Sequence, residues 1–292
     1  MDLRQWRKHI DQVVADEGQW LGILDEAGLP LYELGGVVDV SFPQARLEAE
    51  SVAVTLAVTP GDRVVNDLVG AGLGVQDAAG RLVPAAGPTR LIMLARAGKP
   101  RQVATVTHTV ASGSTGPATL VVHGVGLVDS LSWWPCPSVP VEWANARFDE
   151  WTTDAGGVTY KTPRQLAQLP FATRADGYTV TGRARMVVQN IIQDSFDAVN
   201  ALYGWADNPH AVVDFATWVD RSPQALVRVN DDPVLDTVAE TCRAAGLGIG
   251  VSLWWPGDGS IYTRTRRDPA TYVGKFFAHP VLVVRVREIK EA

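Results

Sequence analysis

The stretch GVGLVDSLSWWPCPSVPVEW, residues 124–143, decides how this chain is organised. A proline has no backbone donor and holds the residue before it extended, so three prolines within six residues predict neither a helix nor a central strand. We interpret residues 133–143 as a stiff, extended crossover between two domains, with tryptophan rings pinned against both. The structural residues of this crossover are Trp133, Trp134, Pro135, Pro137, Pro140 and Trp143.

The chain before the crossover reads as short strands separated by glycine-rich turns. Residues 51–59 alternate, with Val52, Val54, Leu56 and Val58 on one face. Further strands are predicted over 20–24, 34–42, 89–95, 102–110 and 118–125, with a short helix over 62–69, whereas residues 3–15 fit a helix or a strand that enters a hairpin. Short strands at steady spacing predict an antiparallel β-barrel. We therefore expect an N-terminal β-barrel domain over residues 1–132.

The chain after the crossover mixes helices with strands, which gives an α+β fold class. We predict a mixed domain over 144–292 with helices at 185–203 and 233–245, the second capped by Asp232 with Pro233 at its first position. Residues 144–184 are polar and are expected to be irregular. Strands are predicted over 211–215, 225–229, 247–254, 261–265 and 281–289. A second, tube-like barrel could be built in part from residues 144–180 and 247–289.

Composition sets limits on function. The 292 residues leave room for about two domains, and the net charge of −6 argues against a protein that holds duplex DNA with a basic surface. Cys136 and Cys242 show no metal or disulfide spacing and are expected to be buried. The N-terminus has no apolar signal region, and no apolar run is long enough to cross a bilayer, so we expect synthesis in a cytoplasm and no membrane insertion.

No motif for catalysis, cofactor binding or metal binding is recognised. The glycine runs lack the spacing of nucleotide loops, and the five histidines are scattered. Asp149 and Glu150 beside Trp151 admit a glycosidase hypothesis, although adjacent carboxylates usually point apart and favour solvated surface. The ten tryptophans are expected mainly in cores and at joints, with a sugar-binding platform as the alternative. We therefore expect no enzyme activity, no cofactor and no metal.

The order of these segments resembles the hub proteins of tailed-phage baseplates and tail tips, which include minor tail proteins of actinobacteriophages and the N-terminal hub region of tail-associated proteins. The resemblance lies in a strand ending in GVGLVDSLSWWPCPSVP, a long helix ARMVVQNIIQDSFDAVN, and the helix–strand DDPVLDTVAETCRAAGLGIGV. Asp129, Leu131, Pro135 and Pro137 match the D-x-L turn and proline-bearing exit of that family. Residues 232–251 match its later helix–strand, with valine at some leucine positions.

The resemblance implies a structural virion protein at the tail tip, made in the host cytoplasm. It implies a trimeric ring, with two barrels in each protomer, that joins the tail tube or distal tail ring to the tip and closes the DNA channel. Its implied partners are the distal tail protein ring, the tape-measure protein C-terminus and other minor tail proteins, and the genome DNA passes through the lumen without specific binding. The chain departs from the family in offering few strands for a second barrel, so we expect either that this barrel is built partly from residues 144–180 and 247–289 or that the chain is a hub trimmed at its end.

Two other hypotheses stay open at the level of the sequence. One is a carbohydrate-binding or wall-degrading host-recognition protein that uses the tryptophans with Asp149 and Glu150. Exposed aromatic faces would favour it, and tryptophans buried at joints would oppose it. The other is a cytosolic assembly protein of the same fold with no role in a virion.

Overall fold

The structure is a computed structural model, and it describes residues 2–71, 73–83, 87–171, 177–216, 219–265 and 270–289. The chain forms two compact units, Met1–Asp129 and Ser130–Ala292. Both helices and antiparallel sheets are present, which confirms the α+β class. Among the described residues, no helix is both long and apolar enough to cross a membrane.

The first unit is built from seven strands and two helices. Its elements are α1 (Leu3–Glu17), β1 (Gln19–Leu24), β2 (Pro30–Glu33), β3 (Val37–Ser41), β4 (Ser51–Ala57), α2 (Arg63–Val65), β5 (Leu91–Arg96), β6 (Gln102–Ser112) and β7 (Thr119–Gly126). A π-helical turn, Asn66–Gly70, continues α2, and a 3₁₀ turn, Leu127–Asp129, follows β7. The strands form one antiparallel sheet in the order β2-β1-β5-β6-β7-β4-β3.

The sheet is strongly curled, because its two outer strands are consecutive in the chain. Only residues 34–36 separate β2 from β3, where the sequence predicted a single strand over 34–42. The backbone N–H of Leu34 donates to the carbonyl of Leu21 in β1 at 2.8 Å, and that of Ala57 in β4 donates to the carbonyl of Gly36 at 2.7 Å. One short bend therefore contacts both β1 and β4, which lie near opposite ends of the strand order.

The concave face of the sheet holds one apolar core. The alternation predicted in β4 is confirmed, since Val52, Val54, Leu56 and Val58 are all buried. Every strand except β3 contributes a fully buried side chain to this core, and Val64 and Val65 of α2 complete it. Both faces of β1 are covered, because α1 lies on the other side and packs Trp6 edge-on against Trp20 at 6.2 Å. The open alternative for residues 3–15 is thus resolved as a helix.

An ion pair fixes the turn that follows α2. Arg90 donates from Nε and Nη2 to the two carboxylate oxygens of Asp67, at 2.9 and 2.8 Å, and the Tyr32 hydroxyl donates to the same carboxylate at 2.8 Å. The hydrogen bonds from Arg90 lower the pKa of Asp67, so the carboxylate stays ionised and holds the turn against β2.

The second unit is arranged around one long helix. Its elements are α3 (Ser130–Trp133), α4 (Pro140–Asn145), β8 (Phe148–Thr153), β9 (Thr159–Ala167), β10 (Tyr178–Arg183), α5 (Ala184–Leu202), β11 (Ala211–Val213), β12 (Gln224–Val229), α6 (Val234–Ala244), β13 (Leu247–Trp254), β14 (Ile261–Arg264), β15 (Tyr272–Lys275) and β16 (Val281–Glu288). The described strands form four separate small sheets, β8-β9, β10-β12, β11-β16-β13 and β14-β15.

Fifteen of the 19 residues of α5 are buried, so this helix is covered on nearly all sides. A helix enclosed in this way must have its polar side chains hydrogen-bonded. Gln193 Oε1 accepts from the backbone N–H of Val213 at 2.8 Å, and Asn200 Nδ2 donates to the carbonyl of Ala211 at 3.2 Å. These side chains hydrogen-bond to backbone groups of β11. In the described sheet, the one strand that pairs with β11 is β16. The helix thus closes the edge of a sheet.

Several boundaries differ from the sequence-based expectations. Residues 144–184 were expected to be irregular, but they contain α4's end, the β8-β9 hairpin and β10, and β15 was not predicted. The predicted helices at 185–203 and 233–245 are present within one residue at each end. The cap of α6 is Pro233, whose side chain makes no capping bond, so the assignment of Asp232 as cap is wrong.

Gly36 provides a test of the bend between β2 and β3. Its φ is +65°, and a Cβ there would lie 2.4 Å from the Ala57 carbonyl oxygen, whereas a Cβ on Gly35 meets nothing within 4 Å. Gly36→Ala should destabilise the first unit by at least about 1–2 kcal/mol, the usual cost of a left-handed alanine. Gly35→Ala, the matched control, should change it by less than about 0.5 kcal/mol. Hydrogen exchange of the β1 and β4 amides measures both, and equal effects would contradict the bend.

Candidate functional site: the proline–tryptophan segment and the Arg264 groove

The predicted crossover is extended only in its middle. The residues before it form α3, which ends at Trp133, and Pro140 begins α4. Proline is compatible with the first turn of a helix, because the N–H it lacks would have no helical acceptor there. The expectation of an extended conformation throughout 133–143 is therefore corrected to residues 135–137, which have a bend at residue 134 on one side and at residues 138 and 139 on the other.

This middle part lies beside the residues that begin α6. Pro135 and Pro233 form an antiparallel β-bridge, the N–H of Cys136 donates to the Asp232 carbonyl at 3.0 Å, and the N–H of Val234 donates to the Trp134 carbonyl at 2.9 Å. The segment is thus bonded at the backbone on one side. Cys136 is buried, as expected, and burial raises its pKa to about 12, so its thiol stays protonated at neutral pH.

Asp231 anchors the far end of this pairing. It has a φ of +75°, the left-handed conformation that aspartate tolerates better than most residues. Its carboxylate accepts from the backbone N–H of Ser138 at 2.7 Å and from the Ser138 hydroxyl at 3.0 Å. Asp231 therefore holds the end of the proline segment through two hydrogen bonds.

The three crossover tryptophans have different environments. Trp134 is half-buried, packs edge-on against Phe196 of α5 at 4.8 Å and donates from Nε1 to the Ser195 carbonyl at 3.4 Å. Trp143 is buried and donates to the Pro170 carbonyl at 2.9 Å. Trp133 is 80% exposed. The ring of Trp134 is thus covered in part by α5.

A groove of about 300 Å³ runs between α4 and α5, with Pro140 and Val141 on one wall. Arg264 of β14 lies in it with its side chain only 7% exposed. Its Nη2 donates to the carboxylate of Asp194 and, at 3.1 Å, to that of Asp197, and its Nη1 donates to Asn190 Oδ1 at 3.3 Å. Because the three acceptors stand at positions 190, 194 and 197, one face of α5 presents them all to this guanidinium.

Burial dominates the electrostatics of this groove. It raises the pKa of Asp194 above the ordinary value of 3.8, and Arg264 opposes that rise. Burial likewise raises the pKa of Tyr178, whose hydroxyl donates to Asp194 at 3.4 Å. With both carboxylates ionised the group carries one net negative charge. Such an arrangement can accept a basic or hydrogen-bond-donating group but supplies no activated nucleophile.

Other residues considered from the sequence are not assembled into a site. Asp149 and Glu150 are exposed and consecutive in β8, so their side chains point to opposite faces of the hairpin and do not form a catalytic pair. His108 and His123 stack at 4.5 Å on neighbouring strands β6 and β7. Within the described ranges no group of three or more histidine, cysteine, aspartate or glutamate residues could hold a metal ion. Trp218 lies outside the described residues.

Sequence reasoning missed a column of rings in the second unit. Each neighbouring pair along it has ring centroids between 4.2 and 5.2 Å apart. Its members, in order, are Phe148, Tyr203, Trp205, His210 and His279. Burial and the neighbouring His279 lower the pKa of His210. The rings come from three separate segments, at residues 148, 203–210 and 279, so no local spacing signals the whole column.

Comparison of the chain with protein-family models and with curated proteins found no match. The function is therefore argued from the geometry.

The adjacent residues Trp133 and Trp134 allow a matched test of the proline segment. Trp134→Ala removes the contact with Phe196 and should destabilise the second unit by about 2 kcal/mol, below the range for a fully buried ring. Trp133→Ala removes an exposed ring and should cost less than about 0.5 kcal/mol. Urea unfolding of the full chain, followed by hydrogen exchange in α5, measures the difference, and a larger loss for Trp133→Ala would overturn the assignment.

The raised pKa of Asp194 predicts a pH dependence. The folded state binds this proton more tightly than the unfolded chain does, so the associated stability is present at low pH and is lost as pH rises through the folded pKa. Asp194→Asn should remove that loss, so the free energy of unfolding of the wild type should fall relative to the variant as the pH rises from below 3.8 through the folded pKa. Asp197→Asn, which removes a second carboxylate from the same arginine, is the control. Parallel pH profiles for the wild type and Asp194→Asn would contradict the prediction.

Proposed function

We propose that this chain is a structural hub of a phage tail tip, in which three copies form a ring that joins the tail tube or distal tail ring to the tip and closes the DNA channel. The observation that carries the proposal is the curled seven-stranded sheet of the first unit. It agrees with the barrel that opens the chain in the hub family, which residues 124–140, 184–200 and 231–251 resemble in sequence.

We propose further that this sheet is a closed barrel. The bend at residues 34–36 is hydrogen-bonded to both β1 and β4, so β2 and β3 act as one strand that meets both ends of the sheet. Closure leaves no exposed sheet edge, which suits a wall that must not pair with other strands. The second unit, with its four separate sheets in the described ranges, serves in this proposal as a support for the ring.

The convex face of β4 and β7 suits contact with a neighbouring subunit. Ala53, Thr55, His123 and Val125 lie on this face and are half-buried. These side chains are small or weakly polar, unlike the charged side chains typical of free surface. A ring of identical subunits needs a heterologous contact that closes, and threefold rotation closes it. The net charge of −6 also suits a channel that DNA must pass without being held.

The proposed partners follow from that position: the distal tail ring, the tape-measure protein C-terminus and other minor tail proteins, in a virion tail tip. No cofactor takes part, and the role is not enzymatic. A second candidate function is recognition of host-wall sugars, which the exposed indole of Trp133 favours. The separation of Asp149 and Glu150 onto opposite faces disfavours its wall-degrading form.

Reconstruction of the intact tail tip tests the proposal. We expect three copies of the chain around the tail axis, with the barrels of the first unit next to the channel. One, five or six copies per tail would contradict the threefold ring. A position on a side fibre, away from the axis, would contradict the hub role as a whole.

A further inference from the structure

The β8-β9 hairpin stands apart from the packed core of the second unit. All six residues of β8 are exposed, and seven of the nine residues of β9 are exposed as well. Successive side chains of a strand point to opposite faces, so both faces of this hairpin lack cover along almost their whole length. Its described contact with the aromatic column is at its base, where Phe148 packs on Tyr203 at 5.2 Å.

A hairpin of this kind needs a partner to be rigid. A two-stranded sheet alone is marginally stable in water, and one gains independent stability by packing a face against something else. The exposed face also carries large apolar side chains. Trp151 stands opposite Arg164, and Leu166 stands opposite Asp149, so Trp151 and Leu166 lie diagonally across the same face. Exposed tryptophan is a common anchor of protein interfaces.

The charges of the hairpin are separated by strand. β8 carries the carboxylates Asp149 and Glu150, whereas β9 carries Lys161 and Arg164. Arg164 lies over the Tyr160 ring at 4.5 Å. Within the part of the chain that the structure describes, no ion pair involves Asp149, Glu150 or Lys161. One edge of the hairpin is thus acidic and the other basic, and among the described residues these charges form no ion pair.

This separation of acidic and basic residues between the two strands suits a second copy of the chain as the partner. We propose that the hairpin is a second contact through which copies of this chain associate, in addition to the convex face of β4 and β7, with the acidic β8 of one copy against the basic β9 of the next. Opposite charges on neighbouring strands attract, and like charges repel. A symmetric β8-to-β8 contact would therefore be unfavourable, which selects a head-to-tail arrangement that can close into a ring. The inference rests on the proposed ring and names one of its contacts.

Two charge-reversal variants of the full chain test the contact. Variant one is Asp149→Lys with Glu150→Lys, and variant two is Lys161→Glu with Arg164→Glu. Each makes both strands of its hairpin alike in charge, so each alone should self-associate at least about tenfold more weakly than the wild type. Mixed together, the basic hairpin of variant one should bind the acidic hairpin of variant two. Sedimentation and native mass spectrometry measure the assemblies.

The mixture distinguishes loss of the contact from loss of folding, because variants with unfolded hairpins would not bind each other. A control variant, Asp11→Lys with Glu17→Lys on exposed positions of α1, changes the net charge by the same amount as variant one. It should associate like the wild type. An alternating mixture cannot satisfy all three contacts of a ring of three, so it should give mainly dimers where the wild type gives trimers. Raised salt should weaken the wild-type assembly.

Each other outcome overturns the inference. A wild-type chain that stays monomeric at hundreds of micromolar shows that the hairpin serves a different partner or none. Variants that associate normally, or a mixture that does not associate, show that these charges do not make the contact. The tail-tip reconstruction keeps the two proposals distinct. Three copies per tail tip, together with variants that associate normally, would rule out only the hairpin contact. A different copy number, together with charge-dependent association, would rule out only the threefold hub.

Discussion

The burial of α5 on nearly all sides is the constraint on which the second unit depends. A helix that cannot face water must have every polar side chain matched by a partner, and this helix carries glutamine, asparagine, serine and aspartate. Gln193 and Asn200 meet β11, and Asp194 and Asp197 meet Arg264 of β14. Each partner element is therefore fixed in register by a polar contact as well as by apolar packing.

The proline segment satisfies the same helix from another side. The Ser195 hydroxyl donates to the Pro135 carbonyl, and the neighbouring Phe196 receives the edge of Trp134. A segment rich in proline has few donors of its own, so it is suited to accept from a helix side chain and to pair once with the start of α6. The prolines therefore do not leave this segment unstructured. They leave it with backbone acceptors, which suits a surface of α5 that has a hydroxyl donor.

The sequence predicted those features that rest on local periodicity. The one-sided alternation in β4, the apolar stripes of α5 and α6 and the strand 247–254 are all present, because in each the apolar pattern repeats with the period of its own element. The β8-β9 hairpin was missed for the opposite reason. With both faces exposed it has no buried side to impose a pattern. The Arg264 groove and the role of Asp231 were also beyond reach, since their partners are distant in the chain.

The pairing of β11 has a consequence for the order of folding. One neighbour of this strand is a side-chain row on α5, which precedes it closely, and the other is β16, which comes much later and pairs in parallel. Parallel pairing of distant segments forms slowly, because a long loop must close, at a cost in entropy, before any hydrogen bond forms between the strands. The first unit has its seven strands complete by residue 126 and can fold while the second is still being made. In the second unit, the glutamine and asparagine of α5 fix β11 from its other edge, so the strand can be held in place before β16 has been made.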